Sequence, residues 1–268
     1  MTAGVEAAFM EGGFAAVALG AARTVPLTWL VPALAGPRVP PYLRVGLGLL
    51  LAVLCLPLLQ PELVGAFLRA LSPLQWVILA ARESLVGITV GLCTAAAFRA
   101  AEAAGRLVGT FSGSGALPAD DGDEGPSPTA DLYLFLVVVL FLEMGGLGLL
   151  VGGLARSYQA IPLATPPSAA ALRPAAELVV AATAKLLESA LGLAAPVLVA
   201  SWMADGVLGL VGRAAPQIPM YFIAMPAKAL LGLGVVLVGV GAFDAAWTAG
   251  FPAWGALIER ATAVWRPR

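Results

Sequence analysis

The spacing of charge along the chain limits its fold more than any other feature. In about six places the sequence runs for roughly 20 residues with few or no Asp, Glu, Lys or Arg, the length of α-helix that crosses a bilayer core. A helix satisfies its own backbone N–H and C=O groups, so it is the form such a run takes in lipid. The runs are uneven. The first extends from about Gly12 to Leu34, interrupted by Arg23, Pro26 and Pro32, and the second from about Val45 to Leu59, closing at Pro57 and Pro61. The third, from about Leu74 to Phe98, contains Arg82 and Glu83; only Ser84 to Phe98 is free of charge, too short to cross alone, so it reads as a packed helix. The fourth, Leu132 to Ala155, is the cleanest span, with Glu143 its one charge. The fifth, Leu178 to Ala204, holds Lys185, Glu188 and Pro196, and the sixth, Ile218 to Phe243, holds Pro226 and Lys228.

Composition turns this pattern into a class. Of 268 residues, 60% are apolar and 12% charged, against about 25% charged in soluble domains. The expectation is one all-α integral membrane domain over residues 1–268. With 15 Lys+Arg against 16 Asp+Glu there is no basic face for nucleic acid, and four acids fall together at Asp120, Asp121, Asp123 and Glu124. The absence of histidine removes the commonest general base and metal ligand. Neither a phosphate loop nor a dinucleotide fingerprint occurs, so no enzyme, metal or cofactor is expected. Cys55 and Cys93 sit in apolar stretches as small packing residues. The N-terminal segment carries Glu6 and Glu11 and no basic residue, so the first hydrophobic stretch is expected to be retained rather than cleaved as a signal peptide.

Two intervals break the helical pattern. Ala103 to Asp131, with the stretch GTFSGSGALPADDGDEGPSP, is expected to be a polar loop, and Tyr158 to Pro174 contains enough prolines to forbid a continuous helix. The excess of arginine at Arg260, Arg266 and Arg268 places the C-terminus in the cytoplasm by the positive-inside rule.

Charges inside apolar runs are the first functional candidates, because lipid penalises them. Lys185 and Glu188, three residues apart on one helical face, either neutralise each other or serve a transported ion. Glu143 has no local partner; it meets a cation from another helix, lines a wet cavity, or stays protonated. Glycines at four-residue spacing, Gly87 to Gly91, Gly148 to Gly152 and Gly105, Gly109, Gly113, let helix backbones approach closely. Pro196, Pro216, Pro219 and Pro226 free carbonyls that need donors, and the connection Asp205 to Pro219 sets Arg213 and Gln217 beside them. That connection is either a kinked hairpin or a constriction or subunit contact.

Taken in order, these pieces resemble a known family. The fifth and sixth segments, with Ala195-Pro196, Asp205, Arg213, Pro216-Gln217, Pro226 and Lys228, are similar to the C-terminal signature of the FliR/SctT family, the single-copy export-gate subunit of flagellar and injectisome type III secretion systems. Upstream, VPPYLRVGLGLLLA, ARESLVGITVGL around Glu83, AAGRLVGTFSGSGA, LFLEMGGLGLLVGGLARSY and Ile161-Pro162 follow in the family's order. Two departures stand out: Leu147 occupies a place where relatives often carry a polar residue, commonly His, and the Pro118 to Pro128 loop is unusually acidic. The resemblance implies a bacterial inner-membrane, multi-pass subunit without enzymatic activity. Its partners would be several R-type (FliP-like) and S-type (FliQ-like) subunits and the U-type (FlhB-like) switch subunit. Unfolded polypeptide would pass the shared channel, energised by a partner ATPase and the proton-motive force. The apparent spans become bent helical hairpins, with Glu83, Glu143, Pro196, Asp205, Arg213, Pro216, Gln217, Pro226 and Lys228 as subunit-contact or packing candidates. In relatives the segment after the third helix plugs the closed channel. Here it corresponds to Gly105, Gly109, Ser112, Gly113, Ser114 and Gly115, whose small side chains suit a movable gate. The alternative from another class is a small secondary transporter with Glu143, Lys185, Glu188 and Lys228 at a midplane site.

Overall fold

The computed structural model describes residues 2–36, 39–55, 57, 71–112, 127–163, 169–217 and 219–265. Seven α-helices and no strand occur among them: α1 Thr2–Leu30, α2 Pro41–Leu54, α3 Pro73–Phe111, α4 Pro128–Glu143, α5 Gly146–Ala160, α6 Leu172–Ala214 and α7 Met220–Ala263, with a short 3₁₀ turn Ala169–Ala171 before α6. Helices α2, α3 and α4 all begin on proline, whose missing N–H costs nothing in a first turn and whose fixed φ suits it. Pro32 keeps Val31 out of the helical region and closes α1, whereas Arg23 and Pro26, expected to interrupt that run, lie within it.

The chain divides into two compact units. The first comprises Met1–Ala96, Phe141–Thr183 and Ala253–Arg268. In it α1 and α2 form a hairpin held by backbone-directed hydroxyls: Thr24 Oγ1 donates to Gly48 O at 2.7 Å and Thr28 Oγ1 to Arg44 O at 3.0 Å. Arg44 fastens the turn between them by donating to Val39 O and Gly36 O. Gly87 of α3 lies so close to α1 that a Cβ there would overlap the carbonyl oxygen of Arg23, and one on Gly91 would meet Leu30 Cδ1 at 2.8 Å. That pair of glycines is therefore a helix-packing contact. Val86, Ile161, Ala175 and Trp265 form a buried apolar cluster in the same unit.

The second unit comprises Ala97–Leu140 and Ala184–Pro252. Gly105 of α3 abuts α4, where an added Cβ would stand 2.5 Å from Thr129 O, and Tyr133 of α4 meets Phe243 of α7 edge-on with centroids 5.2 Å apart. Much of α6 and α7 is left uncovered by the chain itself. Only 17% of the apolar window of α6 and 6% of that of α7 is buried.

Three expectations are corrected. The polar loop does not begin at Ala103, because α3 continues to Phe111. Glu102 pairs with Arg99 at 2.6 Å and Arg106 at 3.1 Å at helical spacing, and Gly105, inside the expected loop, packs within the helix against α4. Asp205 to Ala214 likewise belongs to α6, so the α6–α7 connection shrinks to 215–219. The cleanest run is not one straight span: α4 and α5 are bent by 71° at Met144-Gly145. Gly145 adopts φ +74°, which costs glycine nothing, and a side chain on Gly146 would overlap the Phe141 ring.

Candidate functional site

The most heavily bonded polar site lies in the first unit, inside apolar helices. Arg23 of α1 and Glu83 of α3 are 1% and 0% exposed, and Arg23 Nε donates to Glu83 Oε2 at 2.7 Å while Nη2 approaches the same oxygen at 2.5 Å. Arg23 also reaches α5 and the chain that follows it: Nη1 donates to Ser157 Oγ at 3.1 Å and Nη2 to Ile161 O at 3.0 Å. The guanidinium stands 4.3 Å over the Tyr158 ring, whose hydroxyl donates to Gly20 O at 2.9 Å. Glu83 Oε1 accepts no hydrogen bond and is held by the Arg82 guanidinium at 3.3 Å. One guanidinium thus ties three helices and the C-cap of α5 around a buried carboxylate. Such a site fixes geometry; among the described residues no group of three or more His, Cys, Asp and Glu side chains could hold a metal.

In the second unit the end of α3 is seated between two helices. Phe111 packs edge-on against Trp202 of α6 with centroids 6.1 Å apart, and Ser112 Cβ occupies the space a side chain on Gly232 of α7 would need, 2.6 Å from that position. Gly105, Gly109 and Ser112 are all buried. Lys228 of α7 forms an ion pair with Asp205 of α6, and Lys185 pairs with Glu188 at 3.1 Å. Pro196, with Tyr133, Leu193 and Gly234, lines an apolar groove of about 730 Å³ among α4, α6 and α7.

A family model described as "Bacterial export proteins, family 1" matches residues 14–253, nearly all of the chain that these sites occupy. The chain belongs to this family. Among curated relatives, the flagellar biosynthetic protein FliR of Caulobacter vibrioides is 26% identical over 233 residues, covering 86% of this chain and 90% of that protein. The secretion system apparatus protein SsaT of Salmonella typhimurium is 26% identical over 228 residues, covering 83% and 86%. The Yop proteins translocation protein T of Yersinia pestis is 29% identical over 157 residues, covering 58% and 60%.

On this export-family scaffold the candidate residues separate clearly. Glu83 is in the buried cluster, and Asp205 and Lys228 are brought together. Gly105 and Gly109 are helical, Ser112 follows the last residue of α3, and Gly113, Ser114 and Gly115 lie outside the described residues. Pro196 and Pro226 sit exposed within α6 and α7. Arg213, Pro216 and Gln217 are exposed around the end of α6, where the last turn is closed by Ala215 N–H donating to Val211 O at 2.9 Å. The expected role of Arg213 and Gln217 as donors beside the prolines is absent among the described residues. Glu143 is exposed at the α4–α5 bend. Ser157 and Tyr158 were not singled out by sequence, and Arg23 was read as an interruption of the first run rather than as a site residue. The available signal was one base and one acid in separate apolar runs, each too costly to leave alone in lipid.

Proposed function

We infer that this chain is the export-gate subunit of a type III protein secretion system, flagellar or injectisome. With R-type (FliP-like) and S-type (FliQ-like) subunits it forms the channel that passes unfolded proteins across the bacterial inner membrane, and it contacts the U-type (FlhB-like) switch subunit. The observation that carries this reading is the family match over residues 14–253. The helices support it. At 1.5 Å per residue, α3, α6 and α7, of 39, 43 and 44 residues, extend for about 58–66 Å, twice a hydrocarbon core of about 30 Å, as suits subunits that carry helices above the membrane. Residues 1–268 act as a single export-gate domain without catalytic activity, and the arginines at 260, 266 and 268 keep the C-terminus cytoplasmic.

The gate is assigned to the segment Gly105–Gly115, which includes the last turns of α3. Within it Phe111 packs against Trp202 and Ser112 against Gly232. Of the four charges in the transporter alternative, Lys185 and Glu188 pair with each other and Lys228 pairs with Asp205, which leaves Glu143 as the one without an ion-pair partner among the described residues. Native mass spectrometry of the chain co-expressed with R-type and S-type subunits tests the proposal. One copy of this chain in a discrete complex with several of each partner is the expected result. A stable monomer or homodimer that ignores both would refute it.

A further inference from the structure

Glycine is a poor residue for the interior of a helix, because it loses the most backbone freedom on folding and brings no side chain to pack. On α7, Gly239 and Gly241 face open space, where an added Cβ would meet nothing within 4 Å. Gly232 of the same helix differs. It is buried, and a Cβ there would stand 2.6 Å from Ser112 Cβ and 3.3 Å from Ser112 Oγ, with Ser112 Cα behind them at 3.9 Å. Carbon atoms pack at about 3.5–4.0 Å, so a methyl group at position 232 fits only if the end of α3 withdraws by about 1 Å.

The end of α3 is tied to what it touches. Ser112 N–H donates to Val108 O at 2.9 Å, so Ser112 moves with the last helical turn. Phe111 beside it packs edge-on against Trp202 of α6, which sets the helix end against α6 through one residue and against α7 through the next. The ion pair of Asp205 with Lys228 lies one turn from both contacts, toward the α6–α7 connection: Asp205 is three residues after Trp202, and Lys228 four before Gly232. It holds together the two helices that form the seat.

We propose that Gly232 is the positioning residue of the gate: its missing side chain is the notch that admits Ser112, and that notch, with Trp202 on α6, fixes where the α3 part of the gate segment stands. This inference rests on the assignment of Gly105–Gly115 to the gate above. A side chain at position 232 pushes Ser112 and the last turn of α3 off the seat and shifts the gate toward its open state. Gating then depends on residues of α6 and α7 that lie outside the segment that gates.

Ion conductance of the full assembled channel in planar bilayers tests the proposal. Gly232→Ala should raise conductance about tenfold, the change that about 1.4 kcal/mol of overpacking makes in a two-state equilibrium. Ser112→Gly in the same chain removes the atoms at 2.6 and 3.3 Å and leaves Cα at 3.9 Å, so Ser112→Gly/Gly232→Ala should conduct as the unsubstituted channel does. Gly241→Ala, facing open space, should not raise conductance. If Gly232→Ala lowers recovery of the complex in native mass spectrometry, Ser112→Gly should restore it. Unchanged conductance with Gly232→Ala, an equal rise with Gly241→Ala, or a leak or loss of complex that Ser112→Gly does not reverse overturns the proposal. Deletion of Ser112 to Ala116 separates the two readings: if the deletion leaks and Gly232→Ala does not, the seat alone falls, and if neither leaks the gate assignment falls with it.

Discussion

Replacing Arg23 with methionine isolates the energetic role of the buried cluster. Methionine fills most of the aliphatic stem's volume but supplies no donor. Glu83, which no water reaches at 0% exposure, then keeps a charge whose main partner has gone. Breaking a buried ion pair from one side costs about 3–5 kcal/mol. The Ile161 carbonyl loses its donor as well, a further cost of about 1–3 kcal/mol where nothing replaces it. Arg82 at 3.3 Å from Glu83 Oε1 offsets part of this, so the expected loss for Arg23→Met is about 3–5 kcal/mol in all. Converting both partners in Arg23→Met/Glu83→Leu removes the stranded charge, and replacing a buried pair by apolar groups is often close to neutral. The double variant should therefore lose less than the sum of the two single losses, with the remaining costs at the Ile161 carbonyl and at Arg82, which gives up the Glu83 carboxylate. Unfolding of the purified subunit by denaturing detergent, followed by tryptophan fluorescence, measures both, and because about 1.4 kcal/mol is tenfold in the equilibrium the predicted gap is readily resolved. If the double variant loses the sum of the two single losses, the guanidinium and carboxylate are not coupled and the account of the cluster is wrong.

Gly87→Ala should destabilise the subunit by about 1–3 kcal/mol, since its Cβ would overlap backbone of α1, whereas Gly148→Ala, facing open space, should be neutral or stabilising; thermal midpoints of the two in the same detergent give the comparison. Asp205→Lys should set two like charges against each other across α6 and α7 and reduce export, and the swapped pair Asp205→Lys/Lys228→Asp should recover it; equal defects in both would remove the ion pair from the account. Deleting Ser112 to Ala116 should raise ion conductance of the assembled channel in planar bilayers, and unchanged conductance would count against a gating role for that segment.

Local signals in the sequence carried the helices far better than they carried the contacts between them. The helices start at Pro41, Pro73 and Pro128, up to four residues before the runs expected from Val45, Leu74 and Leu132, and the signal for those starts is local, because the imino ring acts on its own residue and the one before it. Glycine gave no such guidance. Gly105 packs within a helix against α4, while Gly145 takes φ +74° and bends a span, and what separates them is the neighbour each meets rather than the residues beside it. The loop expected from Ala103 failed for this reason, as did the single span expected over Leu132 to Ala155.

The charges show the same division in a form that bears on function. In the sequence Arg23 interrupts one apolar run and Glu83 shortens another, 60 residues away, and each alone reads as a defect in a membrane span. Folded, the two cancel, and the runs that looked too broken to cross are joined at their most polar points. The same holds for Asp205 with Lys228. A charge in an apolar helix is thus evidence of a partner, inside the chain where one is present and outside it where none is.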